Sequence, residues 1–214
     1  KGEEMDAIAQ KVEALKGEMI GDRRFFHSHP ETGWFTFFTT AVIADRMQRL
    51  GYEIKLGREV VKAEARQGVG SKDACEKAKQ RAKELLNADQ IKFLDAMEDG
   101  LTGLVAEIDT GRAGKTVAFR FDIDGVDVTE STDADHRPFK EGFRSDISGI
   151  THACGHDGHI TMGLALAKLI AQSLDDFSGK FRFIFQTAEE GTRGAVGMEA
   201  AGVTKGVDYL LSGH

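Results

Sequence analysis

Residues 152–159 concentrate side chains that bind metal ions and transfer protons. The segment contains one thiol, three imidazoles and one carboxylate, together with two glycines. Thiolate and imidazole are good ligands for divalent metals of intermediate softness, and glycine lets the backbone turn tightly around an ion. A helix start that happens to carry histidines is the alternative, but so many ligand-type residues of three kinds in one turn favour a metal site. We therefore interpret Cys154 as a thiol with a chemical role.

Further ligand-type residues follow other hydrophobic segments. Glu189 and Glu190 form a pair that, taken alone, is typical of a solvated strand end. Beside a metal site, one of the two carboxylates can bind an ion while its neighbour acts as a general base. Asp122 and Asp124 suit the orientation of a metal-bound imidazole, although capping of a turn explains them equally well. Because His214 also follows a predicted strand, several strand ends deliver such residues, and we predict a metal site with a general base.

The pattern of the remaining segments predicts how these strand ends are positioned. Apolar residues at helical spacing (Met5, Ile8, Val12, Leu15 and Met19) predict a first amphipathic helix, and further helices are predicted over 38–50 and 159–171. Short β-branched or aromatic runs predict strands over 52–56, 104–108, 116–123, 180–186 and 207–211. Alternation of strands and helices predicts an α/β fold with a central mixed sheet flanked by helices. We interpret the Lys/Glu-rich, helix-forming stretch at about 62–99 as an insertion with a solvated face.

Bulk composition excludes several classes of protein. The chain has 214 residues and a formal net charge of −7, and a surface that binds nucleic acid needs clustered Lys and Arg instead. No apolar run approaches the roughly 20 residues that span a bilayer, so we predict no membrane partner. The first 20 residues are charged and unlike a signal peptide, which predicts a cytoplasmic protein. A disulfide between the two cysteines, Cys75 and Cys154, is not expected in a reducing compartment.

Four motifs resemble a known family. Residues 23–33, 152–159, 186–191 and 213–214 are similar to the dinuclear metal amidohydrolases and carboxypeptidases that include auxin-conjugate hydrolases and N-acyl-amino-acid hydrolases. The resemblance covers essentially the whole chain in order and implies a zinc-peptidase-like catalytic domain. It implies a pair of divalent metal ions, with Mn²⁺ favoured and Zn²⁺ also compatible with thiolate and imidazole donors. By the resemblance, Cys154, His156, Glu190 and His214 bind the metals, Glu189 is the general base, and Asp124 is the supporting acid beside them.

The chain departs from the family pattern in small ways. Asp122 to Val126 reads Asp-Ile-Asp-Gly-Val where the family has Asp-x-Asp-Ala-Leu, and residue 187 is Thr where the family has Pro. Neither change removes a ligand. The family also has a fifth ligand, a histidine far downstream, and a lid and dimerisation domain that would begin after His214. We therefore expect residues 1–214 to be the N-terminal portion of the catalytic domain, in a protein that dimerises with itself or with a related subunit.

Three functional hypotheses remain open from the sequence. The leading one is metal-dependent hydrolysis of a small-molecule amide whose amine part is a terminal amino acid. The second is a catalytically incomplete metal-binding fragment or interaction module. The third is a thiol enzyme with Cys154 as the nucleophile and His156 as its base, which alkylating agents would inactivate and chelators would not.

Overall fold

The computed structural model describes residues 2–214, with side chains from residue 8 onward. The helices and strands alternate along the chain as the sequence predicts. The helices are α1 (Gly2–Ser28), α2 (Phe37–Arg49), α3 (Lys72–Leu85), α4 (Ala88–Ile91), α5 (Arg137–Lys140), α6 (His156–Gln172) and α7 (Gly194–Ala200). The strands are β1 (Glu53–Leu56), β2 (Leu104–Asp109), β3 (Thr116–Asp122), β4 (Lys180–Gln186) and β5 (Tyr209–Ser212).

The five strands form one mixed sheet in the order β1-β2-β4-β3-β5. The β1–β2 and β2–β4 pairs are antiparallel, whereas β3 runs parallel to both β4 and β5. Asp122 at the end of β3 lies opposite Gln186 at the end of β4. The segments that leave β3, β4 and β5 therefore emerge at one edge of the sheet, which is where α/β proteins build their sites. The predicted mixed sheet flanked by helices is confirmed.

Apolar layers on both faces of the sheet hold this edge in place. On one face, Phe183 and Phe185 of β4 share a buried cluster with Ile43 of α2 and Ile160 of α6. On the other face, Ile184 packs in a second cluster with the residues Trp34, Val105 and Met198. Successive side chains of a strand point to opposite faces, so β4 is covered on both sides. The loop that follows β4 thus starts from a fixed point.

Two helices differ from the sequence predictions in detail. Helix α6 begins at His156, three residues before the predicted start, because Gly155 adopts a left-handed conformation (φ 83°) that lets the helix begin immediately after it. In α1 the predicted apolar stripe is largely solvent-exposed: Leu15 is buried, but Ile8 and Val12 are exposed. Met5 lies outside the described side chains.

Helix α3 lies at the surface, as predicted, and is tied to the core by its thin apolar face. Ser71 caps the helix by accepting a hydrogen bond from the backbone N–H of Ala74, and Ala82 is fully buried. Cys75 and Ala78 pack against the larger core cluster. Within residues 2–214, no helix combines the length and the apolar character that crossing a bilayer requires.

Candidate metal centre

Asp124 joins the three segments that meet at the sheet edge. Its buried carboxylate accepts hydrogen bonds from the backbone N–H groups of Glu189 (2.9 Å) and Glu190 (3.2 Å). Its backbone carbonyl lies 2.7 Å from Nδ1 of His156, in the first turn of α6. A carbonyl can only accept, so Nδ1 of His156 carries a proton, and in the neutral ring Nε2 presents a lone pair. Asp124 thus orients Glu189 and Glu190 and also the His156 imidazole, a side chain of the kind that binds metal ions.

Nitrogen and oxygen donors converge beside Asp124. Asp122, His156, Glu189 and His214 each contribute one atom to a group whose members all lie within 4.8 Å of one another. Nε2 of His156 is 3.3 Å from Nε2 of His214 and 3.6 Å from a carboxylate oxygen of Glu189. Both the donor types, carboxylate oxygen and imidazole nitrogen, and their close spacing match a binding site for a divalent cation.

Glu190 and Cys154 border the same group. Glu190 Oε1 lies 3.8 Å from His156 Nε2, is buried, and has no hydrogen-bond partner among the described residues. The neighbouring carboxylate of Glu190 raises the pKa of the exposed Cys154 thiol to about 11, and burial and the nearby charges of Glu189 and Asp124 add to the effect. A nucleophilic cysteine needs the opposite, a lowered pKa. These surroundings disfavour the thiol-enzyme hypothesis and fit a thiol that ionises only when a cation is close.

The structure therefore brings together the site residues that the sequence predicts. Cys154, His156, Glu189, Glu190 and His214 all lie at the carboxyl edge of the parallel strands, around Asp124. Their individual roles stay predictions, because the geometry shows proximity and does not assign a ligand to an ion.

Asp122 and His159 play a larger part in the geometry than the sequence indicates. Asp122 is fully buried, accepts a hydrogen bond from Arg120 Nη1 (2.8 Å) and pairs with Nδ1 of His159. The ring of His159 in turn stacks against that of His156, with 5.4 Å between centroids. Asp122 and Asp124 are two residues apart at the end of the same strand. Alternate side chains of a strand point the same way, so this spacing was the sequence signal that both acids face the site.

A second polar network, absent from the sequence predictions, fixes the start of α6. His27 at the end of α1 is buried, with Nδ1 2.8 Å from Asp157 and Nε2 2.9 Å from Glu130. Burial opposes a positive charge on His27, but its hydrogen bonds to the two carboxylates raise the pKa overall. Nearby, burial lowers the pKa of His152 to about 4, so this ring is neutral. Each of the two His27 contacts joins residues more than a hundred positions apart in the sequence, so no local sequence pattern reveals them.

Comparison with known proteins agrees with this geometry. The model of the peptidase family M20/M25/M40 matches residues 118–214, which include all of the converging side chains. The chain is 45% identical to the indole-3-acetyl-aspartic acid hydrolase of Enterobacter agglomerans, over 98% of this chain and 48% of that protein. The match places residues 118–214 in the M20/M25/M40 peptidase family. The resemblance that the sequence motifs indicate is confirmed.

Other members of the M20/M25/M40 family show the same likeness. One subunit of the p-aminobenzoyl-glutamate hydrolase of Escherichia coli K12, which the motifs at 56–61, 109–112 and 136–139 resemble, is 41% identical over 98% of this chain and 48% of that protein. The crystal structure of an aminobenzoyl-glutamate utilization protein from Klebsiella pneumoniae superposes with a TM-score of 0.77 at 36% identity, covering 95% of this chain and 45% of that one. The chain thus spans about half the length of the relatives that it matches.

A further solved structure bears on the metal. A Bacillus subtilis protein described as a dinuclear metal-binding peptidase of the M20 family superposes with a TM-score of 0.65 at 29% identity, over 94% of this chain and 43% of that one. The family is therefore one of dinuclear metal peptidases, in agreement with the donor cluster at the sheet edge.

Proposed function

We propose that this chain carries the catalytic residues of a metal-dependent amidohydrolase that cleaves the amide bond between an acyl group and a terminal acidic amino acid. The observation that carries the proposal is the convergence of the His156 and His214 ring nitrogens with the carboxylate of Glu189. Two relatives support the substrate class, because their names specify an amide of aspartate and an amide of glutamate.

The residues present fit a pair of divalent metal ions. Cys154, His156, Glu190 and His214 would hold them, and the buried, unpartnered oxygen of Glu190 is the structural observation that calls for a cation. Divalent ions bound there would polarise the substrate carbonyl and lower the pKa of water. The family resemblance favours Mn²⁺, and the thiolate and imidazole donors are equally suited to Zn²⁺.

Glu189 is the residue placed to move protons. Its carboxylate is half-buried, lies 3.6 Å from Nε2 of both His156 and His214, and follows a backbone N–H that Asp124 holds. In the proposed reaction Glu189 accepts the proton of the attacking water and delivers it to the leaving amine, while Asp124 keeps Glu189 and His156 aligned. General-base catalysis of this kind typically contributes about 10²–10⁴-fold.

The direct test is cleavage of p-aminobenzoyl-glutamate by the 214-residue chain with added Mn²⁺. We expect turnover that a chelator abolishes and that Glu189→Gln lowers by about 10²–10⁴-fold. Glu64→Gln, at an exposed carboxylate outside the cluster, should leave turnover unchanged. Metal binding without any turnover would support the alternative, a catalytically incomplete metal-binding fragment or interaction module.

We further propose that the full-length protein acts in the cytoplasm and pairs with a second copy or a related subunit. The Escherichia coli relative is itself named as one subunit of a hydrolase. Light scattering of the full-length protein, with a mass of one chain as the contradicting result, tests the pairing.

A further inference from the structure

A cavity of about 390 Å³ opens next to the candidate metal centre. Glu190 lines one part of it and Arg193 another, with aromatic and glycine residues from the segments 32–35 and 68–70 between them. We infer that Arg193 binds the side-chain carboxylate of the substrate's acidic amino acid and so determines the specificity of the site. This inference rests on the proposed function, which requires a substrate to lie beside Glu190.

The side chain of Arg193 passes close to two glycines. A Cβ atom at Gly191 would lie 2.9 Å from the Arg193 Nε, and a Cβ at Gly68 would lie 2.5 Å from Cδ and 2.9 Å from Nε. Both glycines have positive φ angles, 76° and 59°, which other residues adopt only with strain. The loop after β4 and the loop before α3 thus leave a slot that fits this side chain. A larger residue at either glycine would displace the Arg193 side chain from this position.

Arg193 is also available to a ligand. It forms no ion pair with any carboxylate among the described side chains, and it is the one basic residue among those that line the cavity. Arg66, the neighbouring arginine, is engaged elsewhere: it donates to the backbone carbonyl of Asp99 (2.6 Å) and lies over the Trp34 ring. The planar fork of an arginine matches a carboxylate in two parallel hydrogen bonds.

The charges around the cavity make Arg193 the residue on which binding of a second substrate carboxylate depends. Asp127 and Glu190 are the acidic residues in the lining, and they repel a second carboxylate on the substrate. Glu190 is already assigned to the metals in the proposed site, so Arg193 remains as the protein group that offsets this repulsion. A site built to pair with a charged group discriminates strongly against an analogue that lacks the charge. Arg193 therefore selects glutamate or aspartate over glutamine or asparagine.

The test compares p-aminobenzoyl-glutamate with p-aminobenzoyl-glutamine, which differ only in that side-chain carboxylate. In the metal-loaded wild-type chain we expect kcat/KM to favour the glutamate compound. Arg193→Gln should lower kcat/KM for the glutamate compound by about 10- to 100-fold and leave the glutamine compound within about twofold, whereas Arg193→Lys should fall between. Arg58→Gln removes the same charge at an exposed arginine outside the cavity and should change neither value.

Binding measured by calorimetry separates this inference from the proposed function. In the Glu189→Gln background, where turnover is suppressed, p-aminobenzoyl-glutamate should bind more tightly than the glutamine compound, and adding Arg193→Gln should remove the preference. Absence of turnover in the wild type with this binding preference intact would contradict the proposed hydrolysis alone. Turnover with a glutamate preference that Arg193→Gln does not alter, or no preference in binding, would overturn the role of Arg193.

Discussion

Asp124 shows how a single buried side chain can set the geometry of a whole site. Its carboxylate holds two consecutive backbone N–H groups of the loop after β4, and its carbonyl fixes the tautomer of His156. The two oxygens of a carboxylate can each accept a hydrogen bond, which matches the two N–H donors of this loop. An amide of the same size offers one acceptor and places N–H donors where the second acceptor was.

We therefore expect Asp124→Asn to weaken metal binding by about 10–100-fold, the usual effect of losing a residue that supports metal ligands. Losing the hydrogen bond from the backbone N–H of Glu189 or of Glu190 would displace the side-chain carboxylate of that glutamate from the cluster. Titration of Mn²⁺ or Zn²⁺ against a competing chromophoric chelator measures the effect. Asp95→Asn, at an exposed position, is the matched control, and equal affinities in the two variants would contradict the positioning role.

Glu31 makes the folded state sensitive to pH. Its buried carboxyl group accepts the backbone N–H groups of Phe38 (3.0 Å) and Thr39 (2.8 Å) at the start of α2, and burial raises its pKa to about 7. The folded state then holds this proton more tightly than the unfolded state does. The resulting stabilisation is complete below the ordinary pKa of 4.5 and is lost as the pH rises through about 7.

For wild type relative to Glu31→Gln, the difference in free energy of unfolding should therefore fall by about 3 kcal/mol between pH 4.5 and pH 8. Glutamine keeps the size of the side chain and cannot ionise. It also loses one of the two hydrogen bonds from the backbone N–H groups of Phe38 and Thr39, but that loss does not depend on pH, so the change of the difference with pH reports the titration of Glu31. Urea unfolding at several pH values across this range measures the difference. A difference that does not change with pH would contradict the raised pKa of Glu31.

At the residue scale, the sequence identifies the ligand-type groups well and their supports poorly. Cys154, His156, Glu189 and Glu190 are predictable because unusual side chains cluster within a few positions of each other. His27 and its partners are not, since each side chain is ordinary in its own segment and the network forms only when distant segments meet.

At the scale of elements, helix α6 positions His156 by packing closely on the sheet. The contact passes through Gly163, where an added Cβ would lie 2.8 Å from the ring of Phe185 and 2.9 Å from the ring of Phe121. A glycine inside a helix costs roughly 1 kcal/mol relative to alanine, so close approach is the physical reason for its presence here.

We expect Gly163→Ala to destabilise the fold by about 1–3 kcal/mol, because overpacking outweighs the better helix propensity of alanine. Gly17→Ala in α1 is the matched control, since nothing lies within 4 Å of the added Cβ, and it should stabilise the chain by up to about 1 kcal/mol. Urea unfolding of both variants measures the sign of each change in the free energy of unfolding relative to wild type. A stabilising Gly163→Ala would contradict the close packing of α6 on β4.

The elements themselves follow from periodicity, but their arrangement does not. The strand predictions fall within two residues of the observed bounds, because alternating and β-branched runs are local signals. The insertion of β4 between β2 and β3 depends on contacts between segments far apart in the chain, as does the exposure of the α1 stripe. The early start of α6 depends on the single left-handed residue Gly155.

At the scale of the whole molecule, a mixed sheet gathers acidic and imidazole groups at the edge where β3, β4 and β5 end. The formal net charge of −7 reflects 35 acidic residues against 28 basic ones. The family match and the donor cluster both support the proposed metal centre at this edge. Strand β5 delivers the exposed His214 to that edge, so the donor cluster depends on this strand as well as on the buried strands of the sheet.

Elemental analysis of the purified chain after dialysis against trace Mn²⁺ or Zn²⁺ tests the metal centre most directly. We expect at least one tightly held atom per wild-type chain and two at saturating metal, with the content falling well below one in His156→Ala. Retained folding of that variant, checked by circular dichroism, is the control. A wild-type chain that holds no stoichiometric metal, or a metal content that His156→Ala leaves unchanged, would contradict a metal centre at this edge of the sheet.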